Sequence, residues 1–232
     1  MNLRIKISKI LILLGKIIHW LPLALMKPRD YIEFSRRSYS HPGDVDFWDR
    51  HAQEAKSLTP LEQDLLDQVK SNGGKAAILG VGGGREVIPL AKHGYIITGI
   101  DYIPELVDCA RRNAAEEGIE MEGIVQDITD IKLEPESYEL FWLSAAMYSS
   151  IPVSARRIDF LRRVRKSLKP GGYFIFTFSR SSSEIFPRKL LLPLKLIALI
   201  TFGNTRLEYG DKLFHNREFI HEFMDLSQLQ RE

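Results

Sequence analysis

Between residues 58 and 179 the chain alternates short apolar runs with segments of helical period, and this alternation restricts its fold more than any other feature of the sequence. Apolar runs too short for buried helices read as strands. Strands separated by helical crossovers must lie parallel in one sheet, with the helices on its faces. The runs predict strands over Lys75–Gly80, Tyr95–Ile100, Met121–Gln126, Tyr138–Ser144 and Tyr173–Phe178, and helices near Leu58–Lys70, Arg85–His93, Pro104–Glu117 and Ala155–Leu168. Pro104 suits a first helical turn, where its missing N–H would be unpaired anyway, and Gly94 and Gly118 suit helix stops. Lys169-Pro170-Gly171-Gly172 reads as a turn that launches the fifth strand. The expected class is α/β, a doubly wound and mostly parallel sheet, occupying a domain over residues 44–232 behind an N-terminal segment over residues 1–43.

A glycine-rich loop, Gly80-Val81-Gly82-Gly83-Gly84, follows the first strand and opens a helix. Missing side chains there let backbone N–H groups approach a ligand closely. A dinucleotide fingerprint of the GxGxxG form needs its third glycine at position 85, which is Arg85, so a nicotinamide or flavin enzyme is the weaker reading. Asp101 closes the second strand, where a carboxylate accepts hydrogen bonds from both hydroxyls of a ribose; a helix N-cap is the alternative role. Asp127 closes the third strand, where a carboxylate accepts a hydrogen bond from an adenine amino group or serves as an ordinary loop residue.

In order and spacing these motifs resemble the class I, Rossmann-like S-adenosylmethionine-dependent methyltransferases, of the type 11/25-like kind, over roughly residues 58–179. LGVGGGREVIPLAKHGYIITGIDYIPELVDCARRNA is similar to that family's first motif running into its acidic one, and VQDITD to the next. SYELFWLSAAMYSSIP resembles the fourth strand and its loop, and LRRVRKSLKPGGYFIFTF the helix, turn and fifth strand that follow. The resemblance implies S-adenosylmethionine as cofactor, with contacts from Gly80, Val81, Gly82 and Gly84. It further implies ribose binding by Asp101, adenine contacts from Tyr102, Asp127 and Ile128, and a methionine end lined by Ser144. One departure stands out: the family carries an acidic residue two positions before the first glycine, and this chain has Ile78.

Methyl transfer from a sulfonium is an in-line displacement that needs alignment and exclusion of water rather than a catalytic triad. His41, Tyr148, His215 and Tyr39 are candidate general bases by residue type alone. Several acceptors are argued down. Amino-directed DNA enzymes of this fold carry a D/N-P-P-Y/F tetrad after the fourth strand, where this chain reads Ser144-Ala145-Ala146-Met147, and no nucleic-acid partner is expected. Cys109, the only cysteine, falls in a helix away from that edge and so is no nucleophile for cytosine C5 chemistry. The same count excludes an intrachain disulfide and a zinc–cysteine cluster, and it fits a reducing compartment. No metal site is expected, since a metal-dependent catechol-type enzyme needs a carboxylate where Ser144 stands. A small-molecule or lipid-like acceptor remains, with a catalytically silent cofactor-binding module that docks at a membrane as the alternative.

Charge and apolar patterning bear on that choice. Residues 1–43 carry 8 basic and 2 acidic side chains, residues 44–155 carry 9 and 20, residues 156–195 carry 11 and 2, and residues 196–232 carry 4 and 6. An acidic middle flanked by basic, apolar-rich segments suggests an anionic partner such as a membrane surface, or else a solvated basic face. Within residues 3–26, Lys9, Lys16 and His19 interrupt every apolar run before the roughly 18 residues of a membrane span. Leu3, Ile7, Ile10, Leu14, Ile17, Ile18 and Leu21 share one helical face opposite Lys6, Lys9 and Lys16, the pattern of an interfacial helix. A second leucine-rich stretch, residues 186–202, falls in a helical insertion over residues 180–215, where the family places acceptor-binding elements. It either packs on the first as a lid or shares the membrane with it, which places the protein in the cytoplasm and peripherally at the inner face of the membrane. Asn216–Gln230 reads as a single helix, the family's closing antiparallel strand pair is expected to be missing, and the chain is expected to be a fragment or a trimmed fold.

Overall fold

The structure, a computed structural model, describes residues 3–70, 73–143, 145–180 and 185–232. Its helices are α1 (Leu3–Leu25), α2 (Pro28–Tyr39), α3 (Pro42–Glu54), α4 (Pro60–Asp67), α5 (Val87–Lys92), α6 (Pro104–Glu116), α7 (Ser154–Ser167), α8 (Leu191–Ile200) and α9 (Leu226–Gln230). The strands are β1 (Gly74–Leu79), β2 (Tyr95–Asp101), β3 (Met121–Val125), β4 (Tyr138–Leu143), β5 (Leu168–Phe176), β6 (Asp211–Phe214) and β7 (Glu218–His221). The first five strands form one sheet in the order β3-β2-β1-β4-β5, every pair parallel. This is the doubly wound, Rossmann-like sheet expected from the alternation.

Burial on both faces explains why the central strands read as unbroken apolar runs. Ile78 and Trp142 sit side by side in register and face α4, α5 and α6, where Leu66, Leu90, Val107 and Ala110 close a first core. Their neighbours Leu79 and Leu143 face the other way, into a second core with Phe160 and Val164 of α7. The order of the strands reverses between β1 and β4, which opens a crevice beyond their C-terminal ends, and loops gathered there have no sheet above them.

Local chemistry trims several of the expected boundaries. Thr59 caps α4 by accepting from the Glu62 N–H at 3.3 Å, and the Glu62 carboxylate returns a bond to the Thr59 N–H at 2.8 Å, so the helix starts at Pro60. The Lys169–Gly172 turn is a bulge inside β5: Leu168 pairs with Tyr138, and pairing resumes with Tyr173 against Leu140.

Two expectations need larger correction. Asn216–Gln230 is not one helix. Asp211–Phe214 and Glu218–His221 form an antiparallel pair with its own two-stranded sheet, and only Leu226–Gln230 is helical. His215 and Asn216, both at positive φ (+49° and +55°), make the turn between them, closed by the Arg217 N–H on the Phe214 carbonyl at 3.0 Å. A strand pair is therefore present, although the five-stranded sheet still ends at β5. The N-terminal segment is also more continuous than its lysines suggest. α1 runs unbroken for 23 residues through Gly15 and by length and composition is long and apolar enough to cross a membrane. Its C-terminal end packs on α8, as one of the two readings of the leucine-rich segments required. Leu23 and Ala24 meet Leu194 and Ala198 in a third core with Tyr31, Leu207 and Phe219.

α7 is fixed to the C-terminal elements by a buried ion network. The side chain of Arg157 is 1% exposed and donates from Nε to the Glu232 carboxylate at 2.8 and 3.0 Å, from Nη2 to Glu208 at 2.8 Å, and from Nη1 to the Ile151 carbonyl at 3.2 Å. The Tyr148 hydroxyl donates to the same Glu232 carboxylate at 2.7 Å. Burial raises the Glu208 carboxyl, but Arg157 and the Ser154 N–H outweigh it and leave the group below its ordinary value. Removing one member of such a network strands buried charge, so Arg157→Ala should lower the unfolding free energy by about 3–5 kcal/mol in urea titrations at neutral pH. A loss under about 1 kcal/mol would mean that the network adds nothing net to stability.

Candidate cofactor site beyond the strand ends

The glycine loop between β1 and α5 is built from backbone hydrogen bonds that only glycine tolerates at low cost. The N–H groups of Gly80 and Val81 both donate to the Ile100 carbonyl, at 2.7 and 3.0 Å, and the Gly84 N–H turns back to the Val81 carbonyl at 2.9 Å. Gly80, Gly82 and Gly84 take φ of +69°, +52° and +93°, conformations strained for other residues. Two neighbours press on the loop. A Cβ at Gly83 would lie 2.4 Å from the Trp48 carbonyl oxygen of α3, and one at Gly84 would lie 3.1 Å from Ala110 of α6. At Gly82 a Cβ would meet nothing within 4 Å, so this is the open side of the loop.

Polar side chains hold the loop from outside. Asn113 donates to the Gly83 carbonyl at 2.9 Å and to Asp49 of α3 at 2.8 Å. Arg85, standing where a dinucleotide fingerprint would need glycine, forks onto Glu62 at 2.8 and 2.9 Å and reaches Glu86 at 2.6 Å. That paired fork ties the loop to α4.

Asp101 ends β2 beside the loop and is 4% exposed. Its Oδ2 accepts from the Gly82 N–H at 3.0 Å and its Oδ1 from the Ile103 N–H at 3.1 Å. The N-cap of α6 is Ile103, so Asp101 is not a cap but a bridge between the glycine loop and the start of that helix. Burial pushes its carboxyl up to about 6, with the N–H groups of Gly82, Ile103 and Tyr102 pulling the other way.

The remaining expected residues lie along the same edge. Tyr102 is half-buried, with its hydroxyl raised by burial, and Ile128 is buried. Asp127 caps the short turn after β3, its Oδ1 accepting from the N–H and hydroxyl of Thr129 at 2.8 and 2.9 Å, while its Oδ2 takes neither bond. Tyr102 and Asp127 line a cavity of about 380 Å³ with Val125 and Gln126, and α2 roofs it with Arg29, Ile32 and Arg36. The roof is therefore α2 rather than the α1–α8 pair that was expected as a lid. Ser144 lies outside the described residues. The loop after it is strained, with Ala145 and Ala146 at φ +53° and +55°, and it lays the Met147 side chain against Gly80.

The candidate bases do not gather here. His41 is exposed and caps α3 through Nδ1, which accepts from the Gly43 N–H at 3.3 Å. His215 is exposed on the β6–β7 turn. Tyr148 faces the core, fully buried and stacked on Phe223 at 5.8 Å between ring centres. Tyr39, at the end of α2, hydrogen-bonds instead to Glu218 of β7, a residue that sequence reasoning hid inside the expected C-terminal helix. Burial raises both groups, and for Glu218 the Tyr39 hydroxyl and Arg217 work against it. Alternation of half-buried Glu218 and Ile220 with buried Phe219 and His221 was the available signal for a strand. Glu208, Asp211 and His221 also cluster, but protein groups occupy them. His221 Nδ1 meets Asp211 at 2.8 Å, the second Asp211 oxygen accepts from the Glu208 N–H at 2.8 Å, and Glu208 accepts from Arg157.

A family model described as a methyltransferase domain matches residues 78–176, from the end of β1 to the end of β5. A ubiquinone biosynthesis O-methyltransferase of Xylella fastidiosa is 31% identical over 140 residues, which cover 58% of this chain and 55% of that protein. The chain thus spans about half the length of the curated relatives it matches. Among solved structures, a SAM-dependent methyltransferase of Methanosarcina mazei superposes with a TM-score of 0.54 at 22% identity, covering 75% of this chain and 82% of that one. A phosphoethanolamine N-methyltransferase of Haemonchus contortus, solved with phosphoethanolamine and S-adenosylhomocysteine, gives 0.54 at 19% identity over 67% of this chain and 33% of that one. Both share the fold. With the glycine loop, the acidic end of β2 and the parallel order β3-β2-β1-β4-β5 in one domain, the segment from Ile78 to Phe176 belongs to the class I S-adenosylmethionine-dependent methyltransferases.

Proposed function

We propose that this chain transfers the methyl group of S-adenosylmethionine to a small-molecule or lipid-like acceptor, in the cytoplasm or peripherally at the inner face of a membrane. The observation that carries the reading is the 3.0 Å bond from the Gly82 N–H to Asp101, which makes the open side of the glycine loop and the acidic end of β2 one rigid unit. A carboxylate has about four acceptor positions. The Gly82 and Ile103 N–H groups take one on each oxygen, the Tyr102 N–H also acts on the carboxylate, and the remaining acceptor capacity suits ribose hydroxyls. Gly80, Val81, Gly82 and Gly84 would hold the methionine end with Ser144. Tyr102 and Ile128 would flank the adenine, and Asp127 would accept from its amino group through Oδ2.

When bound, S-adenosylmethionine supplies a methyl group activated by the sulfonium charge. The work left to the chain is to orient, to desolvate and to hold charge. α2 over the cavity and Met147 against Gly80 bound the crevice, and the Asp101 carboxylate would orient the ribose. The name of the Xylella relative supports an acceptor that carries an apolar tail, and the leucine-rich surface of α8 supports one met at an apolar surface. Label from a methyl-tritiated donor should enter a lipid extract in the presence of the purified protein. Label confined to polar metabolites would overturn the lipid-like acceptor.

S-adenosylhomocysteine should bind in calorimetry, and Asp101→Ala should weaken it about 100-fold, the loss of two charge-assisted hydrogen bonds at about 1.5 kcal/mol each. Unchanged affinity would remove Asp101 from the site. The raised carboxyl adds a pH signature. Ribose hydroxyls need the ionised form, so affinity should be flat above about pH 7 and fall as pH drops through about 6. Asp101→Asn should bind weakly at every pH and lack that inflection.

A further inference from the structure

We infer that α1, α8 and the loop after α8 form a single bilayer-inserting face that recognises anionic lipid. The inference deepens the reading of a membrane-borne acceptor and does not depend on methyl transfer itself.

Two segments about 170 residues apart in sequence build the face, because α1 and α8 pack on each other through Leu23, Ala24, Leu194 and Ala198. Beyond that seat α1 leaves the body of the protein. Only 12% of its most apolar stretch is buried, and Leu3, Ile5, Ile7, Ile10, Leu11 and Ile18 are all exposed. Leu3, Ile7, Ile10, Leu11 and Ile18 share one broad face of the helix, and Ile5 lies on the opposite side. A broad apolar face left exposed by its own fold, with Lys6 and Lys9 outside it, is the pattern of a helix that buries that face in an apolar solvent. At ~1.5 Å per residue its 23 residues extend about 34 Å, against a bilayer hydrocarbon core of about 30 Å.

α8 continues the surface. Leu192, Leu196, Leu199 and Ile200 are exposed, and the next turn ends in Phe202, which is 81% exposed. Phe202 also takes φ +57°, a conformation that costs energy for an aromatic residue, so the backbone is held in a form that turns the ring out into solvent. Soluble proteins rarely expose an apolar surface this continuous.

Charge names the partner. Neither α1 nor α8 contains an acidic residue. Exposed Lys6 and Lys9 on α1, and exposed Arg188 and Lys189 just before α8, surround the apolar side chains with positive charge. Apolar insertion flanked by lysine and arginine is the chemistry of an anionic lipid headgroup above hydrocarbon.

The full chain should float with vesicles of phosphatidylglycerol and phosphatidylcholine (1:3), and bind pure phosphatidylcholine at least about tenfold more weakly in 0.1 M salt. Ile200→Asp with Phe202→Asp changes two side chains that touch little of the body, and aspartate accepts positive φ more readily than phenylalanine. The pair should reduce partitioning about tenfold while circular dichroism and S-adenosylhomocysteine binding stay unchanged. Lys189→Glu should remove the preference for anionic vesicles. A chain that ignores both vesicle types, or sediments as a dimer through this face without binding them, overturns the inference while leaving the methyltransferase reading intact. Equal flotation of the double variant overturns it as well.

Discussion

The buried carboxylate of Asp101 is the constraint around which the ligand end of the sheet is organised. It is nearly inaccessible to water, and its two oxygens hold the N–H groups of Gly82 and Ile103. Loss of hydration raises the cost of its charge, and the backbone N–H groups offset part of that cost without any cationic side chain. A glycine loop is flexible by composition; this one is fixed from three sides, by Asp101 below, by the Asn113 bond to the Gly83 carbonyl, and by the Arg85 fork onto Glu62. The acidic residue that the family carries before the first glycine is absent, since Ile78 points into the core, and these three attachments order the loop instead.

Legibility in the sequence followed how local the deciding interaction was. The strands of the parallel sheet stood out because burial on two faces favours runs of apolar residues such as Ala76–Leu79 and Leu140–Leu143, and Ile78 and Trp142 illustrate the demand from one side. The loop and its acidic partner were legible because their geometry depends on glycine at fixed offsets from a strand. The C-terminal hairpin was not. Its strands are four residues each, one carries Lys212 and the other Glu218 and His221, and their burial is decided by contacts with α1 and α2 at the other end of the chain. The signal that was available, two residues able to take positive φ at His215-Asn216, is short and easily outvoted by helical periodicity.

The same distinction explains the candidate bases. Residue type picked out His41, Tyr148 and His215, yet a histidine can cap a helix and a tyrosine can complete a core, as His41 and Tyr148 do. Which polar groups reach the crevice depends on how α2 and β7 fold back over the strand ends, and that fold brings Tyr39 and Glu218 together. α1 posed the opposite problem. Its lysines looked like interruptions of a span, but a helix is continued by backbone hydrogen bonds whatever the charge of its side chains, and exposed Lys6 and Lys9 leave it unbroken.

The third core joins residues far apart in the order of synthesis: Leu23 and Tyr31 pack with Leu207 and Phe219. At ribosomal speeds of about 5–20 residues per second, the seat of α1 does not exist for roughly 10–40 s after α1 itself has been made. During that interval the sheet can fold around its first core and the part of its second that ends at Phe178, whereas the apolar helix α1 has no protein partner and is open to whatever binds nascent hydrophobic segments. Among the described cores, the one that holds α1 to the domain joins the residues farthest apart in sequence, and the contacts across it add most to the loop entropy that folding must overcome.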